Sequence, residues 1–312
     1  MPFLRSALTP LVCAALAAAA AASPKDRMRE IEQDADAARE HAAIAFKVEA
    51  GTTIQFRTDL KDQGDVFVSR SLIEVTGRGA LGDRAALSVT VGFEPTFYDF
   101  RNAPGLIPGT NDPISDVYLF DVSPRFTMAI NEEWSWFAGL DARVAGESDA
   151  RFGDAFTIGG YAGASQKVNE NFTYSFGVYA VQRMEDDALV VPIIGFDWKI
   201  NDDLRFESIG TGLKLTSAIN DTLEVAALGY WDRREYRLDR NHSQLPNGVF
   251  REQRVPVGVQ LAWKPDPAVR VTLEGGAVVW QEYRVLNSNG NRLNKQETDP
   301  APYISLNAVF RF

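Results

Sequence analysis

The chain ends Tyr303-Ile304-Ser305-Leu306-Asn307-Ala308-Val309-Phe310-Arg311-Phe312, and the spacing within this stretch decides how the rest is read. Ile304, Leu306, Ala308, Phe310 and Phe312 share one side, while Tyr303, Ser305, Asn307, Val309 and Arg311 share the other. A period of two is the signature of an extended strand with one apolar and one polar face.

The same period runs through most of the chain from Ala45 onward. Val48, Ala50, Thr52, Ile54 and Phe56 oppose Lys47, Glu49, Gly51, Thr53, Gln55 and Arg57. Leu87, Val89, Val91 and Phe93 oppose Ser88, Thr90, Gly92 and Glu94; Ile194, Phe196, Trp198 and Ile200 oppose Gly195, Asp197 and Lys199. Alternation alone also fits a soluble β-sandwich. Three further features favour a barrel: strand length, turn asymmetry and the placement of aromatics. Several strands run a dozen residues or more, longer than most soluble strands. Short polar connections at 79–83, 131–133, 168–171, 201–203, 219–222 and 265–267 alternate with a second series at 59–64, 101–115, 147–151, 185–187, 239–250 and 287–302. Most of the second series is longer, as in an up-and-down barrel with short turns at one rim and long loops at the other. Trp134, Trp136, Phe172, Trp198, Trp263 and Phe312 lie beside the short turns. Phe97, Tyr98, Phe100, Tyr118, Trp231, Tyr236, Trp280 and Tyr283 lie toward the long loops. Two such belts are expected where amphipathic rings meet membrane interfaces.

Counting back from Phe312 gives an all-β, antiparallel, up-and-down transmembrane barrel of 14 strands. One segment is short for the task. Leu204–Ile219 must go up and back, turning near Gly210, whereas spanning strands need about 9–11 residues each. If this hairpin lies outside the wall, 12 strands remain.

The stretch 45–312 resembles the outer-membrane β-barrels of Gram-negative bacteria, and Val191-Pro192-Ile193-Ile194-Gly195-Phe196-Asp197-Trp198-Lys199-Ile200 resembles one uncharacterised porin-like group among them. The resemblance implies an outer-membrane location, contact with outer-membrane lipid, and a terminal strand, through Phe310 and Phe312, that the barrel-assembly machinery reads.

Composition agrees. The net charge of −10 gives no general attraction for nucleic acid. The mean hydropathy of −0.18 suits half-polar strands. Uncharged runs such as 155–166 and 171–182 reach only about a dozen residues, against roughly 20 for a spanning helix. Residues 1–22 read as an export signal: Arg5, an alanine-rich apolar run, and small residues before Ser23. A retained membrane anchor is the other reading of this run. Cys13 is the single cysteine, preceded by Pro10-Leu11-Val12 rather than a lipidation sequence. A chain cleaved after Ala22 therefore has neither disulfide nor thiolate metal site. Residues 23–44 carry Met28, Ile31, Ala35, Ala38 and Ala42 at helical spacing, a short periplasmic or plug helix with a thin apolar stripe.

If the apolar face meets lipid, the other lines the lumen. Parity then sends Arg70, Glu74, Glu94, Asp121, Arg125, Asp141, Arg143, Asp197, Lys199, Arg254, Arg270, Glu274, Glu282 and Arg284 inward. The mixture of signs suits a salt-bridged interior or a charged selectivity ring. The dense cluster Asp232–Arg240, continued by Arg251, Glu252 and Arg254, reads as an ion-paired loop base or a phosphate site. His242-Ser243, with Asp239 nearby, is the one place where hydrolytic chemistry is worth weighing, but neighbours on an extended chain point apart. No cofactor, metal site or enzyme activity is expected. The expected function is porin-like passage of small solutes. The alternatives are a non-conducting, structural or partner-binding barrel, and an outer-membrane hydrolase.

Overall fold

A computed structural model describes residues 44–312. The expected export signal and nearly all of the segment expected to be helical, residues 1–43, lie outside the described residues. The strands are β1 (Ala45–Asp59), β2 (Asp65–Ala80), β3 (Ala85–Arg101), β4 (Asp116–Ala129), β5 (Trp134–Gly146), β6 (Phe156–Asn169), β7 (Phe172–Arg183) and β8 (Asp186–Lys199). They continue as β9 (Leu204–Ile209), β10 (Gly212–Asn220), β11 (Leu223–Tyr230), β12 (Asp232–Arg237), β13 (Val249–Asp266), β14 (Val269–Leu286), β15 (Arg292–Glu297) and β16 (Ala301–Arg311). One helical turn, α1 (Phe152–Ala155), precedes β6.

Neighbouring strands pair antiparallel around a closed ring. The ring closes where β16 lies between β14 and β1, with Val48 opposite Phe310 and Ile54 opposite Ile304. β11 and β12 succeed one another along β13, as β15 and β16 do along β14, so the segments form 14 staves. The short hairpin belongs to the wall: β9 and β10 pair through the turn at Gly210, whose φ of 56° suits a residue without Cβ. Of the two expected counts, 14 is the one observed.

The exterior is apolar. Phe93, Leu140, Ile194, Val259 and Leu306 are all exposed, on the faces that alternation assigned to lipid. A wall of this kind buries its backbone polarity in the strand ladder while offering hydrocarbon an apolar surface.

Two departures from simple alternation matter for the interior. A bulge at Val279 shifts the β13–β14 register, so Val278 faces Pro256 and Trp280 faces Val255. The extra residue reverses the parity of everything beyond it in β14. Gln281 and Tyr283 turn inward, and Glu282 and Arg284 share the opposite face with Trp280. The expectation that Glu282 and Arg284 line the lumen is thereby corrected. They form an ion cluster with Lys295 on that opposite face, where the Glu282 side chain is itself only 2 % exposed.

The second departure is β12. It pairs with β13 on one side, and on the other touches β5, where Arg237 lies opposite Gly146 and the Glu147 N–H donates to the Arg237 carbonyl at 2.9 Å. β5 and β13 are separated around the wall by β6 to β11. β12 therefore leaves the wall after Trp231 and bridges across the barrel, with β6, β7 and β8 remaining outside it.

Candidate functional site

The interior is the candidate site, and it is layered. Every second residue of β3 beyond Gly92 points inward: Glu94, Thr96, Tyr98 and Phe100 are all nearly inaccessible. Of the aromatics expected in the outer belt, Tyr98, Phe100, Tyr236 and Tyr283 are inside instead. Phe97 and Tyr118 do face outward. Tyr98 and Phe100 meet Phe250 edge-on at 5.4 and 6.1 Å, and Tyr283 stacks on it at 5.4 Å. Above them the long loops fold in. Ala103, Leu106, Ile107 and Ile114 from residues 102–115 and Leu238 and Leu245 from residues 238–248 complete one apolar lid with Val66, Val68, Val117 and Val285.

Beneath the lid lies a charged layer. Its side chains are Arg70, Arg234, Arg254, Glu94, Asp232 and Glu252, between 2 and 11 % exposed. Arg234 grips Glu94 through Nε and Nη2, both at 2.7 Å, and also pairs with Asp232. Arg254 Nε donates to Asp232 at 2.9 Å. Arg70 Nη2 donates to Glu252 at 2.7 Å, and its Nε to Thr96 at 3.1 Å. Glu252 also accepts from the Tyr98 hydroxyl at 2.6 Å and from Gln281 Nε2 at 2.7 Å. Three cations thus meet three anions with their hydrogen-bonding directions largely filled, the condition under which buried charge is tolerable. The cluster Asp232–Arg240, expected at a loop base, supplies this layer because β12 turns Asp232, Arg234 and Tyr236 inward. Below it a cavity of about 60 Å³ is bounded by Glu49, Thr53, Arg70, Glu94 and Tyr230, among others.

The remaining expected lumen residues are distributed as follows. Arg125 is buried, and Asp141 accepts from Ser123 at 2.7 Å near Asp121. Asp197 pairs with Arg205, Arg270 with Glu224 at 3.2 Å, and Glu274 accepts from the Tyr303 hydroxyl at 2.8 Å. Glu74 is half-buried opposite Glu49 in the β1–β2 register. Lys199 sits at the short-turn rim, paired with Asp202 at 2.8 Å and half-exposed. Phe310 and Phe312 are exposed on the outside, and Phe312 is tied to Phe46 by backbone bonds of 2.8 and 3.1 Å.

One side of the lumen differs. Inside β5 to β8, Phe137, Tyr161, Tyr179 and Val191 form an apolar cluster with Val181, Leu189 and Ile193 against it. Phe137, Tyr161 and Tyr179 ascend with ring centroids 6.2 and 6.3 Å apart. Tyr161 lies over Gly139 and Tyr179 over Gly159, so closely that a Cβ at Gly139 would meet the Tyr161 ring at 2.4 Å and one at Gly159 the Tyr179 hydroxyl at 2.6 Å. The Gly-rich stretch of β6 therefore serves ring packing, not a phosphate loop. Alternation did not reveal this patch, because Leu189, Val191 and Ile193 form a continuous apolar run with their lipid-facing neighbours.

His242 holds the lid together. Its Nε2 is 3.1 Å from the Pro113 carbonyl, and its Nδ1 receives the Leu245 N–H at 3.2 Å. Both ring nitrogens are spent on backbone, with Nδ1 the acceptor and Nε2–H the donor. Glu147 accepts the Asp239 N–H at 2.6 Å in the same cap, and burial raises its carboxyl above the usual range.

A family described as "Domain of unknown function (DUF6268)" matches residues 112–311. The chain belongs to this family. Its fold is an all-β, antiparallel, closed barrel of 14 strands. A comparison with curated proteins finds no match. Among solved structures, a Pseudomonas aeruginosa FadL homologue is 10 % identical, with 95 % of this chain and 97 % of that one covered and a TM-score of 0.48. The Pseudomonas putida toluene transporter TodX is 9 % identical over 95 and 96 % of the two chains, with a TM-score of 0.41. LpxR from Salmonella typhimurium is 10 % identical over 84 and 99 %, with a TM-score of 0.34. None of these likenesses bears on function.

Proposed function

We propose that this protein resides in the outer membrane and handles small solutes selectively, its axis sealed against free diffusion of ions and sugars. One observation carries the reading: the outer half of the lumen is filled by an apolar lid over a charge-neutral layer. A diffusion pore needs a continuous wet path, and a packed apolar constriction excludes water. The same seal suits a barrel that conducts nothing and serves a structural or partner-binding role. The two part at solutes other than ions. In planar bilayers the full-length protein is expected to show no steady ohmic conductance, and proteoliposomes no swelling in sugars. Sustained conductance across a range of salts would overturn the seal. Failure to move any solute, apolar ones included, would leave the non-conducting role.

Hydrolysis finds little support in the geometry, since His242 has no ring nitrogen left to act as a base. Replacing His242 with alanine is expected to loosen the lid without removing a lipid- or peptide-cleaving activity. Loss of such an activity would reinstate the hydrolase.

A further inference from the structure

The wall is open on one side. β8 pairs with β9 only from Asp197 to Lys199, extended by Ser208 Oγ, which bonds the Phe196 N–H at 2.9 Å and carbonyl at 3.1 Å. From Gly195 to Asp186, β8 has no strand partner on that side among the described residues. The β9–β10 hairpin that would cover it ends at Gly210, and beyond it β12 turns away toward β5. The opening is closed at its outer end by the β7–β8 tip. There Glu185 pairs with Arg237 at 2.9 Å, Asp186 with Arg251 at 3.4 Å, and Glu235 accepts the Met184 N–H at 3.0 Å.

What flanks the opening differs from what lies behind it. On the outside of the β8 edge, Val190 and Ile194 are 64 and 63 % exposed, as expected of lipid-facing positions. On the inside of the same edge, Leu189, Val191 and Ile193 belong to the apolar patch. Behind them a cavity of about 40 Å³ is lined by Leu119, Arg143, Val181 and Leu189 of the wall and by Arg233 and Glu235 of β12. Unpaired strand-edge peptide groups are costly against hydrocarbon and are tolerated beside water or a polar group. An apolar lining with a polar end therefore matches a molecule that has both.

We propose that this opening is a lateral portal, through which a slender amphiphile with an apolar chain and a small polar head passes between the bilayer and the chamber inside β6 to β8. The portal deepens the selective-passage reading and rests on it for its purpose, but its geometry is tested separately.

The test uses the full-length protein with Cys13→Ser, refolded in bilayers with brominated acyl chains. A bimane label is placed in turn at Ile193→Cys, Ile194→Cys and Ser175→Cys. Ser175 is an inward position on β7, whose wall is paired on both sides. The portal predicts that the label at Ile193 is quenched nearly as strongly as at lipid-facing Ile194, and far more than at Ser175. Quenching at Ile193 no greater than at Ser175 would overturn it. A second measurement avoids the label. Decanoate displacing 1-aminoanthracene should bind Leu189→Trp at least tenfold more weakly, while Val190→Trp, one residue away on the outer face, should bind like the parent. Equal binding by both variants would also sink the proposal. A heat-modifiable gel shift verifies folding of each variant. Steady ionic conductance would refute the sealed axis and leave the quenching result to decide the portal.

Discussion

Glu252 shows how much one side chain can hold. It accepts from Arg70, Tyr98 and Gln281, so removing its charge strands the Arg70 guanidinium in an interior layer that was neutral. Glu252→Gln is expected to cost about 3–5 kcal/mol, the penalty for leaving one partner of a buried pair. Tyr98→Phe removes the hydroxyl that donates to Glu252 and accepts from Arg70 but keeps every charge, and should cost about 1–3 kcal/mol. Urea unfolding in detergent measures both, and a reversed order would show that charge balance does not hold this layer. In the cap, burial raises the Glu147 carboxyl, and burial raises nearby Asp112 in the same direction. A carboxyl raised in the folded state contributes stability that is present in acid and lost as pH rises through its folded value. The cap should therefore be held more firmly at mildly acidic pH than at neutrality. Glu147→Gln keeps an acceptor for the Asp239 N–H and should weaken that dependence, read as melting temperature against pH. Asp112 retains part of it. Residue polarity was legible in the sequence, and partners were not: nothing in the spacing of Arg70 and Glu252 says that they meet, because the contact is made across the ring.

Single elements explain where reading by alternation succeeded and where it slipped. Parity held along β3, β4 and β13, where no bulge interrupts the inward series from Gly258 to Ala262. It failed in β14 at Val279, because an inserted residue has no signature when both flanking residues are apolar. The tight pairing of β6 and β7 offers a direct test. Gly163 lies opposite Gly177, and a Cβ on Gly163 would sit 2.3 Å from the Phe176 carbonyl. Gly163→Ala must push the strands apart, at a cost of about 1–3 kcal/mol in the same unfolding assay. Phe312 is the opposite case. Its ring is 77 % exposed and its backbone bonds to Phe46 do not depend on the side chain. Phe312→Ala should leave the stability of refolded barrel within about 0.5 kcal/mol, as for other surface changes. A drop in the folded fraction recovered from cells would then reflect assembly.

At the scale of the molecule, the seal has two independent parts. The lid is built from loop residues including Leu106 and Ile107, and the charged layer from β2, β3, β12 and β13. Excising residues 103–111 should therefore leave bilayer conductance low, because the layer beneath still blocks the axis. An open channel in that variant would mean the lid alone is the barrier.

The sequence by itself determined the barrel: period-two alternation, short turns alternating with mostly longer loops, and an apolar exterior are local properties, and each stave records them independently. It also determined that the interior would mix charges, since those residues occupy the second face. Only the tertiary structure decided that an apolar lid and a charged layer fill the outer half of the lumen and that β8 pairs with β9 over three residues only. Both follow from β12, whose alternation is compatible with staying in the wall, but whose partner at Gly146 lies across the barrel. The choice between wall and lumen is settled by contacts between residues far apart in the chain, and a strand carries no mark of which distant edge it will meet.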